Sequence, residues 1–578
     1  MLEEKLLNFF NLPIEYCNEI YKTPNNLYDD LELLETKDGK ENAVYDHLFK
    51  PQSIFSSLMM HKWASQYTTN VDFLRDTQKV MKKNLDISID KKDIVSNAWL
   101  SFKEIKEDPN FIDKYQFIGW DYLKFLNNSI IFLTMLSAYS ILSPLLNLMA
   151  PLLLLIVPFI IMKFKKIPIT LTNYFGFIVN SFRRHSFGKL LTDWDNLRVG
   201  QRLYMLAMFG MYIYNIYQNC LSCYQFYQNT NTINTNITNL KTYLIYTQKQ
   251  ITNHVNKIDK LKTYSPFKNY LLEKRLQVNK IYNELENIPL ASFNPKKIPY
   301  IGYTMQKYYK LFDDQDIEET MLFTFGFHGY LDNIRGISSS IFNNTINKAK
   351  FYKRRKAMLK ITDSYYPILQ CQDKKSSIVR NSFDMEQNKI ITGPNASGKT
   401  SILKSTITNL LISQQIGYGY YKRAKITPFH KLHCYLNIPD TSGRDSLFQA
   451  EARRCLDILN TIKNNDKLRH FCIFDELFSG TNPYEAISSA SAYLADIITF
   501  KNVKFLLTTH FIRLCKHLDN NKQIENVHMK TTFNNLTPQY YYKLQTGISN
   551  IKGGVTVLKD LGYPDKIIKD SITNLQKL

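Results

Sequence analysis

The sequence predicts an α/β domain with a mostly parallel sheet over residues 361–578, preceded by a largely α-helical region that carries a hydrophobic hairpin. Three observations predict it. After Ile361, short β-branched runs such as NKIITGPN, RHFCIFDE and VKFLLTTH alternate with helical stretches, the texture of a buried parallel sheet. From Phe187 to Lys360 apolar residues such as Ile251, Val255 and Ile258 step by four and three amid Lys, Asn and Gln. Between them and the N-terminus, Phe125–Met162 runs without a single charge.

The chain has 578 residues, more than one hydrophobic core serves, so several domains are expected. Hydrophobic residues at 44% and charged residues at 21% exclude a disordered or collagenous chain. Eight cysteines in this length are no disulfide framework, and the chain reads as intracellular. The formal charge of +22 favours a polyanionic partner, either nucleic acid or an anionic membrane surface. The coding bias of an AT-rich genome on solvated positions is the competing source of the excess Lys.

Taken in order, residues 1–119 read as short helices. Met1–Phe10 has neither a basic start nor a long apolar run, so no signal peptide is expected. Ile54, Leu58 and Trp63 recur at helical spacing. Residues 120–168 hold the charge-free block, and roughly 20 apolar residues suffice to cross a bilayer. Pro144 and Pro151 interrupt it, which predicts two antiparallel segments, Asn128–Leu142 and Leu145–Met162. Lys124 before it and Lys163, Lys165 and Lys166 after it would keep both ends on one side. The sequence therefore predicts a membrane partner through Phe125–Met162, with the remainder on the cytoplasmic side; a greasy helical pair buried within the protein or a dimer contact is the alternative. Residues 169–360 read as a helical region, with Asn231–Asn287 as a long helical pair or short coiled coil. The C-x-x-C of Cys220 and Cys223 has no second pair or His at zinc-ligand distance and reads as two ordinary helix-face cysteines.

Residues 361–578 carry the chemistry. Gly393, Pro394, Asn395, Ala396, Ser397, Gly398, Lys399 and Thr400 fit G-x-x-x-x-G-K-[ST] at every fixed position, between an expected strand, Lys389–Thr392, and an expected helix, Ser401–Ile412. In that context backbone amides and a helix N-terminus cradle phosphate. Lys399 would reach the β- and γ-phosphates of ATP, and Thr400 would place its hydroxyl on Mg²⁺, with Ser401 completing the nucleotide-binding run. A metal on such a loop needs a carboxylate from a neighbouring strand. His470–Asp475 is an apolar strand ending in two, Asp475 for Mg²⁺ through water and Glu476 as general base. Phe505–Thr509 is a further strand, and His510 at its end would sense the γ-phosphate.

These residues resemble one family. Asp475-Glu-Leu-Phe-Ser-Gly-Thr481, Thr508-Thr-His510 and Gly393-Pro-Asn resemble the ATPase domain of the MutS family of DNA mismatch repair proteins, a branch of the ABC-type P-loop ATPases. Tyr366-Pro367 and Val379-Arg-Asn381 are similar to the segment that helps form its nucleotide pocket. Gln415-Ile-Gly417 resembles the family's QIG segment, which would put Gln415 near the metal and γ-phosphate. Asp440 through Gly443-Arg-Asp-Ser446 to Glu451 resembles the signature segment, and the resemblance implies that Ser446 acts in trans on the nucleotide of a second subunit. Gly480-Thr481-Asn482 resembles a loop crossing the ATPase dimer interface. Tyr542 to Gly547, Gly553-Gly554-Val555 and Leu561-Gly-Tyr-Pro564 resemble the closing tail, and Gly329-Tyr-Leu-Asp332 resembles the end of the lever helices.

The resemblance covers about Ile361–Ser571. It implies a homodimer or paralogue heterodimer in which ATP binding joins two ATPase domains and hydrolysis releases them. It also implies double-stranded DNA as partner, clamped by the helices of residues 169–360, where Lys241, Lys249, Lys257, Lys260 and Lys262 would meet phosphates without regard to sequence. Mismatch-reading members carry a Phe-x-Glu wedge; Phe102-Lys-Glu104 has those letters, but among 36 Phe such a triplet arises by chance and receives no role. Leu-Phe-Ser-Gly-Thr replaces the Leu-Gly-Arg-Gly-Thr of mismatch sensors, and the hydrophobic block stands where mismatch and connector domains should be. In both respects the chain looks more like short, membrane-associated MutS-related ATPases, so a membrane-anchored mechanochemical ATPase without mismatch recognition is the second expectation. A kinase on the same loop has no evident acceptor site.

Overall fold

A computed structural model of the chain describes residues 2–37, 39, 41–83, 92–164, 170–184, 198–288, 298–354, 356–369, 378–436, 438, 446–534, 537–549 and 562–577. Lys165, Lys166, Asp440, Gly443, Gly553, Gly554, Val555 and Leu561 lie outside these residues. The chain forms two compact units. One joins Met1–Asp90, Ile251–Glu273 and Leu322–Leu578; the other joins Lys91–Gln250 and Lys274–Met321. The four consecutive blocks read from the sequence are thus corrected: the N-terminal segment shares a core with the C-terminal domain, and that domain begins before residue 361.

In the first unit the strands are β1 (Ile20–Lys22), β2 (Gln66–Thr68), β3 (Asn347–Phe351), β4 (Leu359–Ser364), β5 (Asn381–Asp384), β6 (Asn388–Thr392), β7 (Tyr418–Gly419), β8 (Arg423–Ile426), β9 (Lys431–Tyr435), β10 (His470–Asp475), β11 (Val503–Thr509), β12 (Ile524–Asn534) and β13 (Thr537–Thr546). The main sheet has the order β13-β12-β6-β11-β10-β9. Only β13 runs antiparallel to its neighbour. Its central strands β6 and β11 are buried throughout, as continuous apolar runs require when helices cover both faces. Parallel pairing aligns Thr392 with Thr509 and Thr508 with Asp475, so the C-terminal ends of three adjacent strands meet. A second sheet, β5-β4-β8-β3-β7, stands beside it.

The N-terminal segment belongs to this unit because its polar groups complete the C-terminal domain's backbone. Tyr366 donates to the Leu31 carbonyl at 2.9 Å, Tyr67 to the His430 carbonyl at 2.9 Å, and Gln78 Nε2 to the carbonyls of Ala349 and Gly417 at 2.9 and 2.7 Å. Gly329-Tyr-Leu-Asp332 lies within the helix Gln315–Phe342, where Asp332 accepts from the Gln52 amide at 3.0 Å. Around it, Phe10, Trp63, Phe323 and Tyr330 form an aromatic core.

The second unit is helical. Helices Val199–Ile258 and Ser265–Glu286 realise the expected helical pair; their turn at residues 259–264 and the ends that flank it, Ile251–Glu273, belong to the first unit. The expected hairpin does not form: Ile130–Phe164 is one helix of 35 residues, with Pro144, Pro151 and Pro158 inside it. A proline removes one backbone donor and kinks a helix, and here the helix continues past all three. Its first part, Ile130–Met149, has a mean hydropathy of 1.6 and is 22% buried. Phe102 is fully buried, and Glu104 pairs with Lys114 at 3.0 Å, so neither is presented as a wedge.

Candidate nucleotide site

The phosphate loop leaves β6 and enters the helix Lys399–Ile416, whose N-cap is Gly398. Gly398 has φ +92°, and Gly393 has φ +154° with Ser397 Oγ only 2.9 Å from where a Cβ would lie. Both positions need glycine, because a side chain would be strained in that backbone and would close the cradle. Ser397 Oγ donates to the Pro394 carbonyl at 2.7 Å, bracing the curl.

Lys399 is 5% exposed and crosses beneath the loop, donating to the carbonyls of Gly393 at 3.1 Å and Pro394 at 3.3 Å. Its Nζ is 3.2 Å from His510 Nε2 and 3.8 Å from Glu476 Oε1. Burial lowers its pKa, against the pull of the Glu476 and Asp475 carboxylates. Asp475 Oδ2 accepts from Thr400 Oγ1 at 2.9 Å, and its other oxygen accepts from Thr508 Oγ1. Glu476 Oε1 lies 2.7 Å from His510 Nε2. The hydrogen bond from His510 holds the Glu476 carboxyl below its ordinary range, against the opposing effect of burial.

Two consecutive residues on an extended strand would point to opposite faces. Here the strand ends at Asp475, and Glu476 turns with φ +53°, which aims both carboxylates at the loop. A cavity of about 550 Å³ adjoins them, lined by Asn395 to Ile402 and Glu476 on one side and by Tyr365, Tyr366, Ile378, Val379 and Tyr542 on the other. Asn381 ties the far wall, donating to the Tyr542 carbonyl at 2.8 Å and accepting from the Leu544 amide at 2.9 Å.

Mg²⁺ takes few protein oxygens and keeps waters and phosphate oxygens for the rest. The Thr400 hydroxyl beside the Asp475 carboxylate fits that demand, as the basic, glycine-lined loop fits phosphate. No group of three or more His, Cys, Asp or Glu able to hold a metal occurs among the described residues, so Cys220 and Cys223 have no further ligand among them.

The sequence-predicted residues Gly393–Ser401, Asp475, Glu476 and His510 thus come together. Gln415 does not. It stands at the opposite end of the phosphate-loop helix, about 24 Å from Lys399 at the rise of an α-helix. There it is buried, accepting from Tyr45 Oη at 2.8 Å and donating to the carbonyls of Trp63 at 2.6 Å and Gln66 at 3.1 Å. The expectation for Gln415 is corrected: its amide fastens the N-terminal segment to the helix. Ser446 is exposed and caps the helix Leu447–Asn464, accepting from the Gln449 amide at 3.3 Å. The sequence reading missed Glu451 as an organiser. Buried at 3% exposure, it accepts from Ser479 Oγ at 2.9 Å and the Gly480 amide at 3.2 Å, anchoring the loop after the carboxylates. A lone Glu at the helical spacing of apolar Phe448, Ala452 and Cys455 was the available signal.

Residues 389–578 match the family described as MutS domain V. A DNA mismatch repair protein MutS of Persephonella marina is 29% identical over 218 residues, 36% of this chain and 24% of that protein. One of Bacteroides thetaiotaomicron is 31% identical over 196 residues, 33% of this chain and 22% of that protein. An Endonuclease MutS2 of Lactobacillus helveticus is 26% identical over 234 residues, 39% of this chain and 29% of that protein. The chain therefore spans less than a third of the length of these relatives.

Proposed function

The chain belongs to the MutS family through residues 389–578, and on that premise we propose that it is an ATP-hydrolysing, DNA-binding protein of mismatch repair type. The observation that carries the reading is the convergence of Lys399, Thr400, Asp475, Glu476 and His510 at the ends of β6, β10 and β11, beside a cavity of about 550 Å³.

Each residue has a part in this reading. The loop amides and Lys399 bind and orient phosphate, Lys399 exchanging the Gly393 and Pro394 carbonyls for phosphate oxygens. Thr400 and Asp475 would hold Mg²⁺, which when bound would neutralise charge developing on the phosphates. Glu476, whose carboxylate form the His510 hydrogen bond favours, takes the proton of the attacking water. His510 keeps that carboxylate beside Lys399 and faces the transferred phosphate. Tyr365, Ile378 and Val379 supply the apolar wall for a base. Exposed Ser446 suits presentation to a second subunit, so the functional form is a homodimer or a dimer with a paralogue. Lys249, Lys260 and Lys262, exposed on and beside the long helical pair, would meet duplex phosphates, whereas Lys241 is tied to the Glu286 carbonyl at 3.1 Å.

Lys399→Ala abolishes ATP binding in this reading, measured by equilibrium titration, whereas Glu476→Ala retains ATP and stalls hydrolysis by about a hundredfold or more. Hydrolysis at the normal rate by Glu476→Ala overturns the general-base role. Duplex DNA binding that is absent, or indifferent to salt, overturns the DNA reading. A second reading has its own observation: Ile130–Met149 is long and apolar enough to cross a membrane and is mostly exposed, with Ile131, Met135 and Tyr139 each over 60% accessible. In it the same ATPase is membrane-anchored and works on a protein or the bilayer.

A further inference from the structure

The second sheet of the first unit presents an ordered array of cations to solvent. Along β3, Ala349 and Phe351 are buried while Lys348 and Lys350 are exposed; along β8, Ala424 and Ile426 are buried while Arg423 and Lys425 are exposed. On β4, Leu359 and Ile361 are buried and Lys360 is exposed. The strand period of two therefore puts every one of these cations on one face.

Register then brings them side by side. Lys350 pairs with Lys425 across β3 and β8, and Lys425 pairs with Lys360 across β8 and β4, giving three lysines abreast on three adjacent strands. Like charges directly opposite one another in a sheet are destabilising, so fold stability alone disfavours this arrangement. At the centre of the row, among the described residues, Lys350 and Lys425 have no carboxylate partner. Lys360 borders the row, 3.7 Å from Asp384. The surrounding sequence withholds counter-charge, with no Asp or Glu between Asp332 and Asp363 or between Glu386 and Asp440. Tyr352 ends the array, its ring 5.5 Å from Lys350 Nζ and 5.0 Å from the Arg354 guanidinium.

We propose that this ladder, Lys350–Lys425–Lys360 with Lys348, Arg423 and Tyr352, binds the phosphodiester backbone of a nucleic acid without regard to sequence. Cations about 4.8 Å apart across strands and about 6.7 Å apart along them form a grid that several phosphates can share. Tyr352 between two cations offers a face on which an unpaired base stacks. A protein partner is disfavoured because lysine is depleted from protein interfaces. A membrane is disfavoured because none of the large exposed apolar side chains lies on β3, β4 or β8. The ladder shares a class of partner with the function proposed above but none of its residues, and it lies outside the nucleotide cavity.

The test uses the full chain with Lys350, Lys360 and Lys425 changed together to Gln, and fluorescein-labelled oligo(dT) as probe, titrated from about 50 to about 200 mM salt. The unfolding midpoint serves as the control for folding. Loss of three phosphate contacts lowers the slope of log affinity against log salt by about 2 and weakens binding at low salt by tenfold or more. An unchanged slope and affinity overturn the proposal, as does a wild-type protein that binds no oligo(dT). Lys249, Lys260 and Lys262 changed to Gln form the second arm. Loss of duplex binding there with the ladder variant unaffected overturns the ladder and leaves the helical DNA contact standing; the converse supports the ladder and removes the helical contact. Vesicles of phosphatidylserine and phosphatidylcholine form the third: a ladder variant that loses vesicle binding but keeps oligo(dT) binding overturns the nucleic-acid assignment.

Discussion

His433 on β9 and His470 on β10 stack at 5.3 Å between ring centroids, His433 Nε2 3.0 Å from His470 Nδ1 and His470 Nε2 3.0 Å from the Asn465 carbonyl. The carbonyl can only accept, so His470 carries its proton on Nε2 and accepts on Nδ1 from His433 Nε2–H, which requires a neutral His470. Burial pushes His433 down to about 3 and lowers His470 as well. In the unfolded chain both take up a proton near pH 6.5, so the unfolded state binds more protons below that pH. Stability is therefore full above about pH 6.5 and falls as pH drops below it, because the unfolded rings take up protons that the buried rings refuse. His433→Phe is expected to make the urea midpoint less dependent on pH between about 6.5 and 4. A midpoint that still falls as steeply as in the wild type rules the pair out as a source of acid sensitivity.

Among elements, the loop after the carboxylates shows how a buried charge orders a site. Residues 477–482 follow the turn at Glu476, and Gly480 lies so close to Leu447 that a Cβ would sit 2.7 Å from its Cγ. Glu451, on the same helix as Leu447, supplies the two acceptors that hold Ser479 and Gly480 there. Glu451→Ala removes the acceptor of both the Ser479 hydroxyl and the Gly480 amide, two hydrogen bonds to a carboxylate, and is expected to cost about 1–3 kcal/mol. Hydrogen exchange at residues 478–482 should speed up while ATP affinity stays near normal, because Glu451 itself touches none of the phosphate loop. Exchange confined to the helix Leu447–Asn464, with the loop still protected, would contradict the anchoring role. The phosphate-loop helix follows the same logic. Its apolar run was legible in the sequence, but its buried Asn409, Ser413, Gln414 and Gln415 were not explained by it. They serve as clasps: Asn409 Oδ1 accepts from the Tyr420 amide at 2.6 Å, and Gln414 Oε1 from the Phe429 amide at 2.7 Å.

For the whole molecule, the open question of partner is set by surfaces rather than by the nucleotide site. The helix Ile130–Phe164 spans about 52 Å at 1.5 Å per residue, longer than the roughly 30 Å of a bilayer core. Its mostly exposed first 20 residues need a bilayer, a protein or a second copy to cover them. If a bilayer covers them, detergent-free extraction leaves the full chain in the membrane pellet, and detergent releases it. A full chain recovered in the soluble fraction without detergent would refute the membrane reading while leaving the proposed ATP hydrolysis untouched.

The sequence by itself determined which residues make up the candidate nucleotide site. A glycine-lined loop between strand and helix, a strand ending in Asp475 and Glu476, and a strand ending before His510 are each local patterns, and local hydrophobic period decides where such strands end. Parallel pairing then had only to set those ends abreast. Tertiary structure alone decided the rest. Gln415 became a fastening for the N-terminal segment because a buried amide goes where unpaired backbone groups await it, 16 residues along the helix from Lys399. The prolines of Ile130–Phe164 stayed within one helix, because each removes a single backbone donor, which bends a helix without having to end it. The three lysines abreast on β3, β8 and β4 come from segments up to 75 residues apart, and only strand register made them neighbours.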